Sequence, residues 1–83
     1  GSDLEIYHDG SNSYVKDGGT GSLLLQGRDS VKLQDISGEN YFVGTVDGSA
    51  ELYHNNVKKF ETTAAGATVT GVLLLMEMLL QLR

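Results

Sequence analysis

An 83-residue chain is long enough for one small domain, and with no cysteine it has no disulfides to reinforce a marginal core. Eleven acidic residues against six scattered basic ones give a formal charge of −5, so the basic patch that a nucleic-acid partner requires is missing. Two histidines are too few for a structural zinc site, and oligomerisation is therefore the expected source of stability.

In chain order, eight short runs rich in Val, Leu, Ile, Tyr, Phe and Thr have the length of a β-strand. They are Leu4–His8, Ser13–Lys16, Leu23–Gln26, Val31–Gln34, Tyr41–Val46, Glu51–His54, Val57–Thr62 and Thr68–Thr70. The stretches between them, such as DGSN, DGGTG, SGEN and DGS, contain residues that favour turns. The pattern predicts an all-β fold of about eight strands.

Most of these runs have one apolar row and one polar row, so only one face of each strand is expected to be buried. Short strands with one apolar face and frequent corners favour an elongated, trimeric β-helix or β-solenoid-like shaft over a compact sandwich. The residues predicted to form the core or to line the trimer axis are Leu4, Ile6, Val31, Leu33, Leu52 and Val69.

The segment EIYHD at 5–9 is echoed by ELYHN at 51–55. The alignment superposes Tyr7 on Tyr53 and His8 on His54, and it brings Gly21 and Gly66 close to equivalent corners. A strand pair and its turn are therefore predicted to be used twice. Two copies are fewer than the three that repeat proteins usually need, so we expect a fragment or an oligomer.

Three stretches carry a resemblance to a known class of protein: LEIYHDGSNSYVKDGGTGSLLLQG, SGEN and VDGSAELYHNNVKKFETTAAGATVTG. They resemble the repeats of tail-fibre and tail-spike structural proteins of tailed phages, notably T4-like phages of marine cyanobacteria. The resemblance extends from Leu4 to Gly71. His54 stands where such repeats commonly have Tyr, and Ala65 stands where they commonly have Thr or Ser.

The resemblance implies a homotrimeric, β-rich shaft or tip of a fibre on the virion, with a part in host attachment and no catalysis. Its implied partners are two further copies of the chain and other phage tail proteins, with neither nucleic acid nor membrane insertion. A host cell-surface glycan is the alternative partner, since receptor contacts in such fibres usually lie in distal loops. On this interpretation residues 1–2 are the scar of an expression tag, and residues 3–71 are a repetitive β-shaft fragment.

The remaining stretch, GVLLLMEMLLQLR, departs from the repeat style, because nine of its last twelve residues are apolar. We interpret residues 72–83 as an apolar C-terminal tail of frameshifted or cloning-derived origin. Leu, Met, Glu and Gln favour a helix, and Leu73, Met76 and Leu80 recur at a spacing typical of one helix face. We expect a short helix that caps the trimer as a C-terminal clasp.

The carboxylates and histidines that could take part in catalysis or metal binding have simpler, structural explanations. Acidic residues beside glycine in turns usually bond the backbone of the turn, so no catalytic site is predicted among the carboxylates that could form a glycosidase pair; these are Glu5, Asp9, Asp17, Glu51 and Glu61. His8 and His54 could form metal rings in a trimer, although strand histidines are more often half-buried and satisfied. No cofactor and no metal site are predicted.

Two weaker signals concern ligands. DGGTGSLLL is similar to a calcium-binding β-roll repeat, but Leu23 takes the place of the ligand aspartate. Tyrosines on alternating strands could stack on a sugar, although cross-strand packing is more common; they are Tyr7, Tyr14, Tyr41 and Tyr53. A structural shaft module and a carbohydrate- or receptor-binding module both stay open, and the internal repeat favours the shaft because repeated units build length.

Overall fold

The structure is a computed structural model that describes residues 3–71. The seven strands in this range are β1 (Leu4–His8), β2 (Ser13–Asp17), β3 (Ser30–Gln34), β4 (Asn40–Thr45), β5 (Ala50–His54), β6 (Val57–Thr63) and β7 (Gly66–Val69). The helix and clasp predicted at Leu73, Met76 and Leu80 lie outside the described residues.

The strands form two antiparallel sheets. β1 and β2 make a separate hairpin, and β3 to β7 follow one another as a five-stranded meander. The all-β prediction is thereby confirmed, and residues 3–71 contain no helix. Within this range the strands form neither a closed barrel nor the stacked coils of a solenoid.

The strand predicted at Leu23–Gln26 is wrong, because residues 22–27 have no regular secondary structure. Three consecutive leucines lack the alternation that gives a strand one buried face, and glycines precede and follow them. Leu24 is 71% exposed. β2 and β3 are therefore joined by a long irregular segment, and residues 3–71 have one strand fewer than predicted.

The turns follow the local chemistry of their residues. In the β1–β2 turn, the carboxylate of Asp9 accepts hydrogen bonds from the backbone N–H groups of Ser11 and Asn12, at 2.9 and 2.7 Å. The two-residue β5–β6 turn places Asn55 and Asn56 at φ angles of 50° and 62°. Asparagine is among the few residues that tolerate this left-handed conformation, which the tight hairpin turn requires.

The sequence echo corresponds to two hairpins of the same design. Ile6 lies opposite Val15 in the β1–β2 hairpin, and Leu52 lies opposite Phe60 in the β5–β6 hairpin. In each case the apolar pair lies on the face opposite to the repeated glutamate and tyrosine. The predicted second use of a strand pair is confirmed, but the turn is not repeated: four residues join β1 and β2, two join β5 and β6, and only the second pair has a bulge.

The chain is extended, and residues 3–71 have almost no core of their own. Its Cα radius of gyration is 17.7 Å, whereas a compact domain of this length has about 12 Å. Among residues 3–71, Val43 is the only buried apolar side chain, at 8% exposure. It lies between Lys32 and Glu51 on the neighbouring strands, and long charged side chains of this kind commonly cover apolar neighbours.

Candidate functional site

One face of the five-stranded sheet has a continuous row of large apolar side chains. The pairing register places one such residue from every strand directly opposite the next, and we call this row the apolar ridge; it consists of Leu33, Phe42, Leu52, Phe60 and Val69. Leu33 and Leu52 are 50% and 49% exposed. Within residues 3–71, no second layer packs on this face.

A parallel row of mostly small side chains runs beside the ridge on the same face. We call it the small-residue groove; it consists of Val31, Gly44, Ala50, Thr62 and Ala67. An open cleft of about 550 Å³ lies over four of these residues. A Cβ atom at Gly44 would lie 3.2 Å from the ring of Phe42, which leans into the groove at this point. The face therefore has both a raised row and a depression.

The opposite face of the sheet is polar and is organised around Glu51. Its carboxylate accepts hydrogen bonds from the hydroxyls of Tyr53 and Ser49, at 2.7 and 3.0 Å. Lys58 Nζ lies 2.9 Å from Glu61 and 3.4 Å from Glu51, so it bridges two carboxylates that lie directly opposite each other. These bonds satisfy the polar face within a single chain.

The network shifts the acidities of its members. The Tyr53 hydroxyl, followed by that of Ser49, lowers the pKa of Glu51 below its ordinary value. The same hydrogen bond to Glu51 raises the pKa of Tyr53. The Glu61 carboxylate raises the pKa of Lys58. Each shift favours the protonation state that is present at neutral pH, as hydrogen bonds between a carboxylate, a hydroxyl and an ammonium group do.

All six residues predicted to form the core lie on apolar faces. Val31, Leu33, Leu52 and Val69 are on the ridge-and-groove face, whereas Leu4 and Ile6 are on the separate β1–β2 hairpin. The structure therefore brings four of them together and leaves two apart. Ile6 is 74% exposed. Their predicted place at a trimer axis stays a prediction.

The sequence interpretation missed Phe42 and Phe60, which complete the ridge. The pairing shifts register between Leu52 and Tyr53, so that Tyr53 lies opposite Lys58 and His54 lies opposite Val57. Val57 and Phe60 consequently share the apolar face although they are three residues apart. The signal was present in the spacing of VKKF, because a β-bulge changes the period of two within a strand.

The β1–β2 hairpin has an aromatic pair on its polar face. The rings of Tyr7 and Tyr14 are stacked, with centroids 4.7 Å apart and an angle of 17° between their planes. Tyr14 Oη donates a hydrogen bond of 2.8 Å to Asp9. Cross-strand packing is thus confirmed for this pair. Tyr53 belongs instead to the Glu51 network, and Tyr41 is exposed at the β3–β4 bulge.

The other candidate residues mostly have structural contacts. The carboxylates of Asp9 and Asp17 bond turn backbone, as predicted for acids beside glycine. His8 Nδ1 lies 3.0 Å from Ser13 Oγ on the neighbouring strand. His54 is exposed beside the β5–β6 turn, on the other sheet. Among residues 3–71 no cluster of three or more His, Asp or Glu side chains is arranged to hold a metal ion.

Comparisons with protein-family models, with curated proteins and with solved structures found no match to this chain. The part of the chain that the structure describes has no helix of the length and apolarity needed to cross a bilayer.

Proposed function

We propose that the chain is a structural module of a phage tail fibre or spike, in which three copies form an elongated β-shaft or tip that takes part in host attachment. The observation that carries the proposal is the apolar ridge, which no second sheet within residues 3–71 covers, on an extended chain. The motif resemblance in the sequence supplies the phage context, and the virion is the proposed location.

The surface of the chain supports assembly. Its accessible area is 7148 Å², whereas a compact monomer of this mass exposes about 4,800 Å². The excess of about 2,300 Å² exceeds the roughly 800 Å² that each partner buries in a standard interface. An apolar face of this extent on a chain without its own core is typical of a subunit that folds together with its copies.

The strand arrangement suits a shaft. Neighbouring strands lie about 4.8 Å apart, so a ridge across five strands runs for roughly 20 Å along the direction in which strands are added. Three such apolar faces packed around one axis would form a continuous apolar column, and further repeats would lengthen it. The proposed shaft is built by three meanders around an axis, in place of the trimeric β-helix or β-solenoid-like winding expected from the sequence.

Small-angle X-ray scattering of the purified chain tests this architecture. The proposal predicts a particle of three chain masses with the scattering profile of a rod, whose cross-section is uniform along most of its length. A compact globular particle of one chain mass would contradict it.

A carbohydrate-binding module is the second candidate, and the stacked pair of exposed Tyr7 and half-buried Tyr14 is the observation that favours it. Stacked aromatic rings beside charged side chains offer an apolar surface with polar groups at its edge, which suits a sugar ring. A glycan array separates the two functions. Binding that is lost in Tyr7→Ser would assign receptor recognition to this hairpin, whereas a shaft module binds no glycan.

A further inference from the structure

We infer that the apolar ridge of one copy packs into the small-residue groove of a second copy of this chain, so that one face supplies both halves of the contact. This inference rests on the proposed function, since it names the surface through which the copies of the shaft would associate. It specifies which residues of two copies meet, and that the ridge of one copy enters the groove of the next.

The shape of the face is the first argument. Along β5, Leu52 belongs to the ridge and Ala50 belongs to the groove two residues away, on the same side of the strand. The same alternation of large and small recurs on β4, β6 and β7, whereas on β3 the groove position holds Val31. A raised row with a parallel depression of equal length is complementary to itself, and interdigitation of large and small residues is how apolar layers reach the packing density of a protein core.

The groove has room for a foreign side chain. The cleft of about 550 Å³ opens over Gly44, Ala50 and Thr62, and Leu25 lies at its side. Ala50 is half-buried by its own chain, and its backbone N–H bonds the hydroxyl of Thr62, so the floor of the groove is held in place. A side chain entering from outside would find fixed walls, and it would share the cleft with the ring of Phe42, which lines it beside Gly44.

The lack of charge in the ridge and the groove also favours a second copy of the chain as the partner of this face. None of the ten ridge and groove residues is charged, although Asp29 also lines the cleft, whereas the opposite face has the Glu51–Lys58–Glu61 network. Two rows without charge offer little to a partner of opposite charge, and their burial is favoured by another apolar surface. Every copy of the chain has such a surface, namely its own ridge and groove.

Cyclic symmetry fixes the register of the contact. If the ridges lie parallel to the axis, rotation about that axis brings no shift along it, so β5 of one copy is level with β5 of the next. Leu52 of one copy then meets Ala50 of its neighbour. A ridge that enters the next copy's groove leaves its own groove free for the third copy, and the ring closes.

The test compares Ala50→Leu with Thr68→Leu, which adds a leucine on the polar face of the sheet. The open cleft lets the single chain accommodate the leucine at position 50, and circular dichroism checks that both variants keep their β-structure. We expect overpacking of the groove in Ala50→Leu to weaken assembly roughly tenfold or more in sedimentation equilibrium. Thr68→Leu should assemble like the unaltered chain.

Cysteine cross-linking tests the register independently, because the chain has no cysteine of its own. Chains with Leu52→Cys and chains with Ala50→Cys, refolded together and oxidised, should give a cross-linked dimer, whereas Leu52→Cys alone should give little. Suppose that the unaltered chain assembles. If Ala50→Leu then assembles normally, or if Leu52→Cys alone cross-links as well as the mixture does, the ridge-in-groove contact is wrong and the shaft proposal stands. A folded, monomeric unaltered chain would overturn both.

Discussion

Leu52 and Phe60 lie directly opposite each other on β5 and β6, on the face of the sheet that nothing else in residues 3–71 covers. On the reverse of the same two strands, Glu51 lies opposite Glu61 and the pair is bridged by Lys58. The polar side chains of the β5–β6 hairpin therefore have partners on their own face, whereas no layer within residues 3–71 covers its apolar side chains. This asymmetry is the basis of the predictions below.

A charge on the ridge should prevent assembly. Leu33→Asp places a carboxylate where three copies would meet, and burial of an unpaired charge among apolar side chains is strongly unfavourable. We expect the variant to remain monomeric at concentrations at least a hundredfold above those at which the unaltered chain assembles, as measured by sedimentation velocity.

The neighbouring residue provides the control for that experiment. Lys32 precedes Leu33 on β3 and lies on the polar face, opposite Val43. Lys32→Asp should assemble like the unaltered chain. If both variants assemble equally well, the inward face has been assigned wrongly.

Removal of the bridging lysine should destabilise the β5–β6 pair at neutral pH. In Lys58→Met, Glu51 and Glu61 remain opposite each other as like charges, which is unfavourable for a cross-strand pair. The melting temperature should fall at pH 7 and should recover partly as the pH is lowered and the carboxylates take up protons. Thermal unfolding followed by circular dichroism at pH 7 and pH 4 measures this.

Lys59→Met removes the same charge from the adjacent bulge position, and the described residues show no ion pair for Lys59. It should leave the melting temperature nearly unchanged at both pH values. An equal loss in the two variants would show that net charge, and not the bridge, is responsible.

Stability should decline at low pH because three carboxylates have lowered pKa values. The backbone N–H of Asn12 lowers the pKa of Asp9, that of Glu39 lowers the pKa of Asp35, and the Tyr53 hydroxyl lowers the pKa of Glu51. A lowered pKa stabilises the fold fully above the ordinary carboxylate range near pH 4, and the contribution is lost as the pH falls through the lowered values. The melting temperature at fixed chain concentration should therefore be steady near pH 7 and fall below about pH 4.

The variant Asp35→Asn tests how much a single turn contributes to the loss of stability at low pH. The Asp35 carboxylate accepts hydrogen bonds from the Ser37 hydroxyl and from the backbone N–H of Glu39, the latter at 2.7 Å. The variant should start from a lower melting temperature and show a shallower acid decline. Asp29→Asn is the matched control, and a decline as shallow as that of Asp35→Asn would contradict the assignment.

The β5–β6 turn should be sensitive to side-chain shape. Asn55 has a φ of 50°, a conformation that a β-branched residue adopts only with strain. Asn55→Val should lower the free energy of unfolding by about 1–2 kcal/mol, whereas Asn55→Gly should cost little or be neutral. Urea denaturation of both variants measures the difference, and equal midpoints would show that the turn relaxes to another geometry.

Much of the fold could be predicted from the sequence because each strand is short and bounded by residues with definite turn preferences. Asp9 and the Asn55–Asn56 pair act locally, so their roles do not depend on the rest of the chain. The failed strand at 23–26 shows the limit of such reasoning, since three adjacent leucines are strand-forming in composition but offer no single face.

The candidate site was predicted less completely. Alternation identified Leu33 and Leu52 as apolar-face residues, because β3 and β5 keep the period of two and the extra residue of each bulge lies in the partner strand. Phe60 lies beyond a bulge, and a bulge depends on pairing between strands that a single strand's pattern does not reveal. The groove was also missed, since Gly44 and Ala50 have a role only when their neighbours across the sheet are known.

Sedimentation equilibrium of the purified chain at micromolar concentration tests the central proposal most directly. The account predicts one species of three chain masses, each chain being 8.9 kDa, with circular dichroism of β-type at the same concentration. Unfolding should become easier on dilution, because the apolar ridge is buried only in the assembly. A folded, stable monomer at that concentration would contradict the account, because the chain would then be stable with its apolar ridge exposed to solvent.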